Sequence, residues 1–435
     1  GPESGLGCHF HRHEKRARLK RLIVYWDTEK VGVLEQDDSG LLQFRYAREW
    51  LDQKDAVPLS RSLPIQGETF RGIPVRSFFA GILPEENPRK QLAALLGISE
   101  SNDFAMLESI GGECAGAVSL FPEEGIPGHS EEPHLRDLDD WELQEIITEL
   151  PRRPLMAGKD GIRLSLAGAQ DKLPVVVTES GIHLPLGGTP STHILKPEPE
   201  RFPGLAANEF FCMSLARAIG MKSPRVRCLR FGDKPSLLVE RFDRKIDSNG
   251  IVTRIHQEDF CQALGFPPER KYQEEGGPHL RQCMALLREW STVPVIDLSA
   301  FVDGLIFNVL IGNGDAHAKN YSLLYQAGER SLTPFYDLVC TMAWPELTRN
   351  MAMKIGGCGS LDEINGGHWR KMAKETGLAW PGLRDRLFDA SHRVLDALPT
   401  VQEMTDEVDS SMAKRLDDII SHRGQKLLQQ LKSDK

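Results

Sequence analysis

Near residue 256 the apolar residues change their period. Between 19 and 46 they alternate, in LKRLIVYW, KVGVLEQ and, after a DDSG turn, LLQFRY, which predicts a small antiparallel meander. Strand-like runs return between 161 and 242 in GIRLSLAG, KLPVVVT, GIHLPL, THILKP, VRCLRF and PSLLVERF. From 256 onward the spacing is mainly helical, apart from YSLLY and LTPFYD. A strand-rich part followed by a helix-rich part predicts an α+β chain of two lobes with a cleft between them, a favoured place for a ligand.

With 435 residues the chain is too long for one compact core, so two or three domains are expected. PRKQLAALLGI at 88–98 reads as a helix stopped by its glycine. Residues 122–139, PEEGIPGHSEEPHLRDLD, are rich in Pro, Gly and acid and read as a linker. A helix follows at about 140–150, and another at 206–221 has Phe210, Met213, Leu215 and Ala218 near one face. The expected divisions are a flexible tail at 1–19, a β-rich unit at 20–125, a second strand-rich unit at 126–255 and a helical unit at 256–435. The leading Gly-Pro looks like a tag-cleavage remnant, and the CHFHRH tract at 8–13 reads as a basic tail or, less simply, a metal-binding run.

Bulk properties exclude some functions. A net charge of −9 does not suit a basic nucleic-acid binder, although HRHEKRARLKR at 11–21 is locally basic. Eight cysteines are scattered with no C-x-x-C pair, which fits a reducing cytoplasm and neither a disulfide framework nor a zinc site. LIVYW is too short for a signal-peptide core, and no apolar run of membrane-spanning length is expected.

The chemistry concentrates in IGNGDAHAKN at 311–320, a polar break between the apolar runs FVDGLIFNVL and YSLLY. Asp315 and Asn320 are five apart, the D-x-x-x-x-N spacing of phosphotransfer loops. There an Asp orients a hydroxyl and takes its proton, and an Asn oxygen holds a metal ion. Seventeen residues on, TPFYDL carries Asp337, a second candidate oxygen ligand for Mg²⁺. Upstream, Lys196 ends THILK as the phosphate-pairing lysine ends V-A-I-K, and Glu209 on the next helix is its candidate partner. SLAGAQDK supplies a small-residue turn, Ala167, Gly168, Ala169, Gln170, Asp171 and Lys172, that can bring backbone N–H groups to phosphates. LLVERFDR places Glu240, Arg241 and Phe242 where an inter-lobe hinge would hold adenine through its backbone. Each piece has an ordinary structural reading: a hairpin turn, an exposed strand-end lysine, a solvated charge run. Their order along one chain is what favours phosphoryl transfer. Within the loop, His317 reads as a structural hydrogen-bonder, and Lys319 as either a phosphate contact or an exposed lysine.

Taken together, SLAGAQDK, THILKP, NEFFCMSLARAIG, VERFDR, QEDFCQALG, GDAHAKN and LTPFYD resemble the HipA family of bacterial serine/threonine protein kinases from toxin–antitoxin systems. The resemblance runs from about 160 to 360, and the meander at 20–125 is similar to that family's N-terminal subdomain. It implies a two-lobed protein-kinase-like fold with an additional N-terminal β-rich subdomain and a helical C-terminal lobe. It implies ATP and Mg²⁺ as cofactors, Asp315 as base, and Asn320 and Asp337 as metal ligands. It puts Lys196 and 167–172 on the nucleotide phosphates and Glu240, Arg241 and Phe242 at the base, with His317, Lys319 and Tyr336 also in the nucleotide site. Ser165 becomes the autophosphorylation site that silences the kinase. The implied partners are a HipB-like helix-turn-helix antitoxin, DNA reached mainly through that antitoxin, and a protein substrate such as an aminoacyl-tRNA synthetase. The implied location is the bacterial cytoplasm, at the nucleoid when antitoxin is bound. Asp171 departs from the Glu of the family's best-known member. A small-molecule phosphotransferase and a non-catalytic corepressor that docks on a DNA-bound antitoxin remain alternative functions.

Overall fold

The computed structural model of the chain describes residues 19–123, 134–159 and 162–433. The CHFHRH tract lies outside the described residues. The predicted meander is present as Lys20–Trp26, Glu29–Gln36 and Leu42–Tyr46, extended at one edge by Phe70–Arg71 and at the other by Val118–Pro122, all antiparallel. Alternation sends Leu22, Val24, Leu34 and Phe44 to one face, which is fully buried. Helices Ile73–Gly81, Glu86–Leu96 and Asp103–Ile110 follow, the second stopped by Gly97 in the left-handed conformation (φ 65°).

A second antiparallel sheet runs in the order Val226–Phe231, Lys234–Glu240, His193–Pro197, Leu173–Thr178, Gly181–Leu186 and His134–Leu138. Its two faces belong to different cores. Leu173, Leu195 and Leu238 join the core of the first sheet, so that core crosses the expected boundary at 125. Leu237 and Val239 point the other way, into a core shared with helix Leu205–Ala218 and the helical lobe. The side-chain period of two thereby fixes where Lys196 goes. With Leu195 committed to one core, Lys196 must face the helix side, beside its cross-strand neighbour Leu237.

Four expectations need correction. The segment read as a linker ends in an edge strand, His134–Leu138, paired with Gly181–Leu186. GIRLSLAG was expected as a strand, yet its described part makes only isolated parallel bridges, Leu164 to Glu113 and Gly168 to Pro84, because no neighbouring strand offers a continuous edge. Helix Leu205–Ala218 is buried on most sides with Ala218 exposed, since it lies between the sheet and the long C-terminal helix. Helix Pro294–Ile311 is long and apolar enough to pass for a membrane span by composition, but it is mostly buried inside the helical lobe. The seven cysteines among the described residues are free thiols.

The helical lobe is built from Leu280–Trp290, Pro294–Ile311, Gly366–Thr376 and Trp380–Ser433. The last is two helices, broken at Asp409 (φ −155°, ψ 94°), whose carboxylate caps the second by accepting from the Met412 N–H at 3.0 Å. Two small sheets interrupt this lobe: the hairpin Asn350–Ile355 and Cys358–Ser360, and a sheet in which His256–Asp259 pairs with Ser322–Gln326, which pairs with Glu329–Leu332. The polar stretch 311–320 is the connection from helix Pro294–Ile311 to this sheet.

Candidate active site

Gly312 ends helix Pro294–Ile311 in the left-handed conformation (φ 73°), returning its N–H to Asn308 and Val309 carbonyls. Polar side chains then fix the chain that follows. Asn313 donates through Nδ2 to Asn308 Oδ1 at 2.8 Å, and its own Oδ1 accepts from the Asp315 N–H at 3.0 Å. Gly314 N–H donates to Thr341 Oγ1 at 2.9 Å. Asn320 Nδ2 donates to the Asp315 carbonyl at 3.3 Å, closing the loop on itself across its five-residue spacing. The Asp315 carboxylate is exposed at the tip, with the Tyr272 hydroxyl donating to Oδ1 at 2.7 Å.

Opposite lies Lys196. Its Nζ donates to Glu209 Oε1 at 2.7 Å and to Asp337 Oδ1 at 2.5 Å, tying the second sheet to helix Leu205–Ala218 and to the helical lobe. Burial works against the ammonium charge, but Asp337 and Glu209 hold the Lys196 pKa above its ordinary value. Burial likewise opposes ionisation of Asp337, and the Lys196 and Lys172 ammonium groups bring its carboxyl down to about 2. Asp337 is itself left-handed (φ 52°), a conformation uncommon outside glycine that Asp tolerates better than most residues. Its side chain is 43% exposed, with Oδ2 free of hydrogen-bond partners among the described residues.

The turn at 167–172 covers the same space. Gly168 has φ 111°, a backbone conformation that other residues rarely adopt, so glycine is required there for conformation. Gly168 C=O accepts from the Glu85 N–H at 3.1 Å, anchoring the turn to the N-terminal unit. Lys172 folds back to donate to Ala167 O at 2.6 Å, and Gln170 Nε2 donates to Pro197 O at 3.1 Å. Burial and the neighbouring Lys196 lower the Lys172 pKa to about 8. On the far wall, Phe242 stacks on Tyr336 with centroids 5.4 Å apart. These pieces line one cleft of about 860 Å³, a size suited to a small-molecule ligand.

Most of the residues singled out in the sequence meet in this cleft: Ala167 to Gln170, Lys172, Lys196, Glu240 to Phe242, Asp315, His317, Asn320, Tyr336 and Asp337 line it. Several also make contacts that the sequence left open. The Arg241 guanidinium turns away into a buried network, forked onto Asp243 at 2.8 and 2.7 Å and reaching Glu113 at 3.4 Å and Ser191 at 2.9 Å, so its backbone is the part left for a ligand. Lys319 lines the cleft and is not an exposed lysine. Its Nζ is buried against Asp259 Oδ2 at 2.8 Å, Gly81 O at 3.0 Å and Glu85 Oε1 at 3.6 Å. His317 is buried, which lowers its pKa, and its ring meets the edge of Tyr272 at 5.3 Å.

Asp171 and Ser165 do not line the cleft. Asp171 Oδ1 is buried without a hydrogen-bond partner among the described residues, and burial raises its carboxyl pKa. Ser165 is fully buried behind the turn, its Oγ donating to Ile82 O at 2.8 Å and its N–H to Glu113 O at 2.7 Å. Three residues of the site went unnoticed in the sequence: Tyr272, Asn313 and Asp259. Asp259 had a readable signal, since D-x-x-Q opens a capping box with Gln262. Tyr272 had none, as PERKYQEEGG reads only as an irregular polar connection.

The available oxygens suit a hard divalent cation. The hydrogen bond from Asn320 Nδ2 leaves its Oδ1 without a hydrogen-bond partner among the described residues, and Asp337 offers an ionised Oδ2; one carboxylate and one amide oxygen, completed by phosphates and water, is a normal magnesium set. No cluster of three or more His, Cys, Asp or Glu side chains offers an all-protein metal cage among the described residues.

The family model of the HipA-like C-terminal domain matches residues 164–412, and that of the HipA N-terminal domain matches residues 22–121. The chain belongs to the HipA family. Among its relatives, Y4mE of Sinorhizobium fredii is 44% identical over 410 residues, spanning 93% of this chain and 98% of that protein. The serine/threonine-protein kinase toxin HipA of Shewanella oneidensis is 33% identical over 351 residues, 78% of this chain and 79% of the toxin. The Shewanella oneidensis HipA structure, solved with HipB and its operator DNA, superposes with a TM-score of 0.83 at 28% identity, covering 95% of this chain and 98% of that one. The α+β fold of this HipA-family chain and its membership of a toxin-kinase family thus follow from both sequence and structure.

Proposed function

We propose that the chain is an ATP- and Mg²⁺-dependent serine/threonine protein kinase acting as the toxin of a HipA/HipB-like pair. The observation that carries this is Lys196, held between Glu209 and Asp337 across the cleft from Asp315. A kinase needs its strand lysine paired with a helix glutamate and its metal-binding aspartate in place at once. Asp315 is the base that orients an acceptor hydroxyl and takes its proton. Asn320 and Asp337 hold magnesium, which when bound neutralises charge on the ATP phosphates. Lys196 and the backbone of 167–172 take the phosphates. The backbone of Glu240 to Phe242 takes the base, with Tyr336 below it and His317 lining the phosphate end. The working units are 20–125, 126–255 and 256–435, with the shared core joining the first two.

The partners follow the Shewanella relative: a HipB-like helix-turn-helix antitoxin, through which DNA is reached in the cytoplasm at the nucleoid. The substrate is a translation protein of the aminoacyl-tRNA synthetase class. Ser165 is the self-inactivating site. Its burial means that residues around 162–167 must leave their place against Ile82 and Glu113 before the hydroxyl can accept a phosphoryl group. Once phosphorylated, its ~1.5–2 negative charges prevent return to that pocket.

Incubation with Mg²⁺ and γ-labelled ATP tests this reading. Label is expected in protein, with phosphate on Ser165 by mass spectrometry and activity falling as it accumulates. Label only in small metabolites would instead support a small-molecule phosphotransferase. Nucleotide binding supplies a second test. At a hundredfold excess over its dissociation constant, Mg-ATP should stabilise the fold by ~2.7 kcal/mol. Asp337→Asn, which keeps the size and the tolerance of a left-handed backbone, should remove the magnesium-dependent part of that gain. Equal thermal shifts with and without Mg²⁺ in the unmodified chain would reject the ligand assignment.

A further inference from the structure

Asp315 is held at three points. Its N–H donates to Asn313, its C=O accepts from Asn320 Nδ2 and from the His317 N–H at 2.8 Å, and its carboxylate Oδ1 accepts from the Tyr272 hydroxyl. The first two contacts fix the main chain and leave the side chain free to rotate. Among the described residues only Tyr272 hydrogen-bonds the carboxylate, and Oδ2 has no hydrogen-bond partner. A base needs one oxygen oriented and the other open to the acceptor proton, within ~2.6–3.2 Å of it. The 2.7 Å contact on Oδ1 meets the first requirement and leaves Oδ2 for the second.

The phenol does not depend on Asp315 for its place. Its ring packs T-shaped against that of His317 with centroids 5.3 Å apart, and Lys271 Nζ lies 5.5 Å from its centroid. On either side the chain is pinned. Lys271 pairs with Glu85 Oε2 at 2.8 Å on the N-terminal unit, and Gln273 Oε1 accepts from the Lys354 N–H at 2.8 Å on the hairpin Asn350–Ile355 and Cys358–Ser360. Gly277 N–H closes the turn onto Tyr272 O at 2.9 Å. Burial, reinforced by the Asp315 charge, pushes the phenol pKa up, so the hydroxyl remains a donor and does not compete as a base.

We propose that Tyr272 is a positioning residue for phosphoryl transfer, whose hydroxyl holds one oxygen of Asp315 so that the other faces the acceptor. This rests on Asp315 being the base. It adds a part of the site that comes from a connection outside the catalytic loop and is braced by the N-terminal unit.

Tyr272→Phe removes the hydroxyl and keeps the ring contacts. ADP and phosphoprotein formation from Mg-ATP should show kcat lowered about tenfold, the scale of one hydrogen bond to a charged group. KM for ATP and the thermal midpoint should stay unchanged, and 3-fluorotyrosine placed at 272, which restores the donor, should recover the rate. In an Asp315→Asn background the same change should add little. An unchanged kcat in Tyr272→Phe overturns the proposal. So does a loss that tracks falling stability or ATP affinity, or one that is undiminished in the Asp315→Asn background. Wild-type turnover in Asp315→Asn alone removes the base assignment itself, and this inference with it.

Discussion

Asp315→Asn is expected to lower phosphoryl transfer by ~10²–10⁴ while leaving the fold and nucleotide affinity intact, the usual contribution of a general base. The separation of the two effects follows from geometry. Asn313 and Asn320 grip Asp315 through its main chain, so the loop keeps its shape whatever the side chain. The substituted amide has the same size, and its oxygen still accepts from Tyr272. What disappears is the free carboxylate oxygen that would receive the acceptor's proton. The nucleotide end is untouched, because Lys196, Glu209 and Asp337 form their own ion-paired group. Rates of labelled-phosphate transfer, measured beside ATP binding and the thermal midpoint, check the prediction. Turnover at the wild-type rate would show that Asp315 is not the base; a fall in ATP affinity of the same size would show that the two ends are not separate.

How much of this was readable beforehand depended on sequence distance. Lys196 and Glu209 are neighbours on consecutive elements, and Asp315 and Asn320 share one loop, so spacing alone placed each pair correctly. Strand alternation also predicted the antiparallel meander of the first sheet, because those strands are consecutive and pair with one another. It failed for GIRLSLAG. Period two says which side a residue faces, not whether an edge is available for pairing, and the only partners here are isolated bridges to residues some 50 or more positions back. Arg241 was read only through its backbone; the side-chain network it joins was not legible, because besides Asp243 it reaches Glu113, which lies 128 residues away.

Side chains buried between units were the least legible. Charged residues are rarely buried without a partner, so Lys319 in a polar loop reads as solvated or ligand-bound. Its partners come from Gly81 and Glu85 in the N-terminal unit and from Asp259, in two stretches with no local relation to the loop. Tyr272 is hidden by the same distance effect. The catalytic motif could therefore be recognised from one loop, while the contacts that hold it rigid were distributed over the rest of the chain.

The Lys319 contacts give the largest expected loss of stability. Lys319→Met keeps most of the side-chain volume and removes the one cation that, among the described residues, touches Asp259, leaving that carboxylate and Glu85 under-compensated in a buried setting. Breaking such a pair by removing one partner typically costs ~3–5 kcal/mol. Asp259 cannot easily move to water, because its Oδ1 also caps helix Phe260–Leu264 by accepting from the Gln262 N–H at 2.9 Å. Glu85 retains Lys271, so part of its compensation survives. The loss should depend on pH in a definite sense. Burial tends to raise the Glu85 pKa, but Lys319 and Lys271 hold it below its ordinary value. A depressed carboxyl contributes stability that is present above its unfolded pKa, ~4.3 for Glu, and lost as pH falls through the folded one. The penalty in Lys319→Met should accordingly be full at neutral pH and shrink below about pH 4. Urea denaturation of both chains across that range measures it. Since Lys319 sits directly before Asn320, phosphoryl transfer should fall with stability, unlike Asp315→Asn. A Lys319→Met chain within ~0.5 kcal/mol of the unmodified one at pH 7, the range of an ordinary surface change, would mean that this lysine does not tie the catalytic loop to the N-terminal unit.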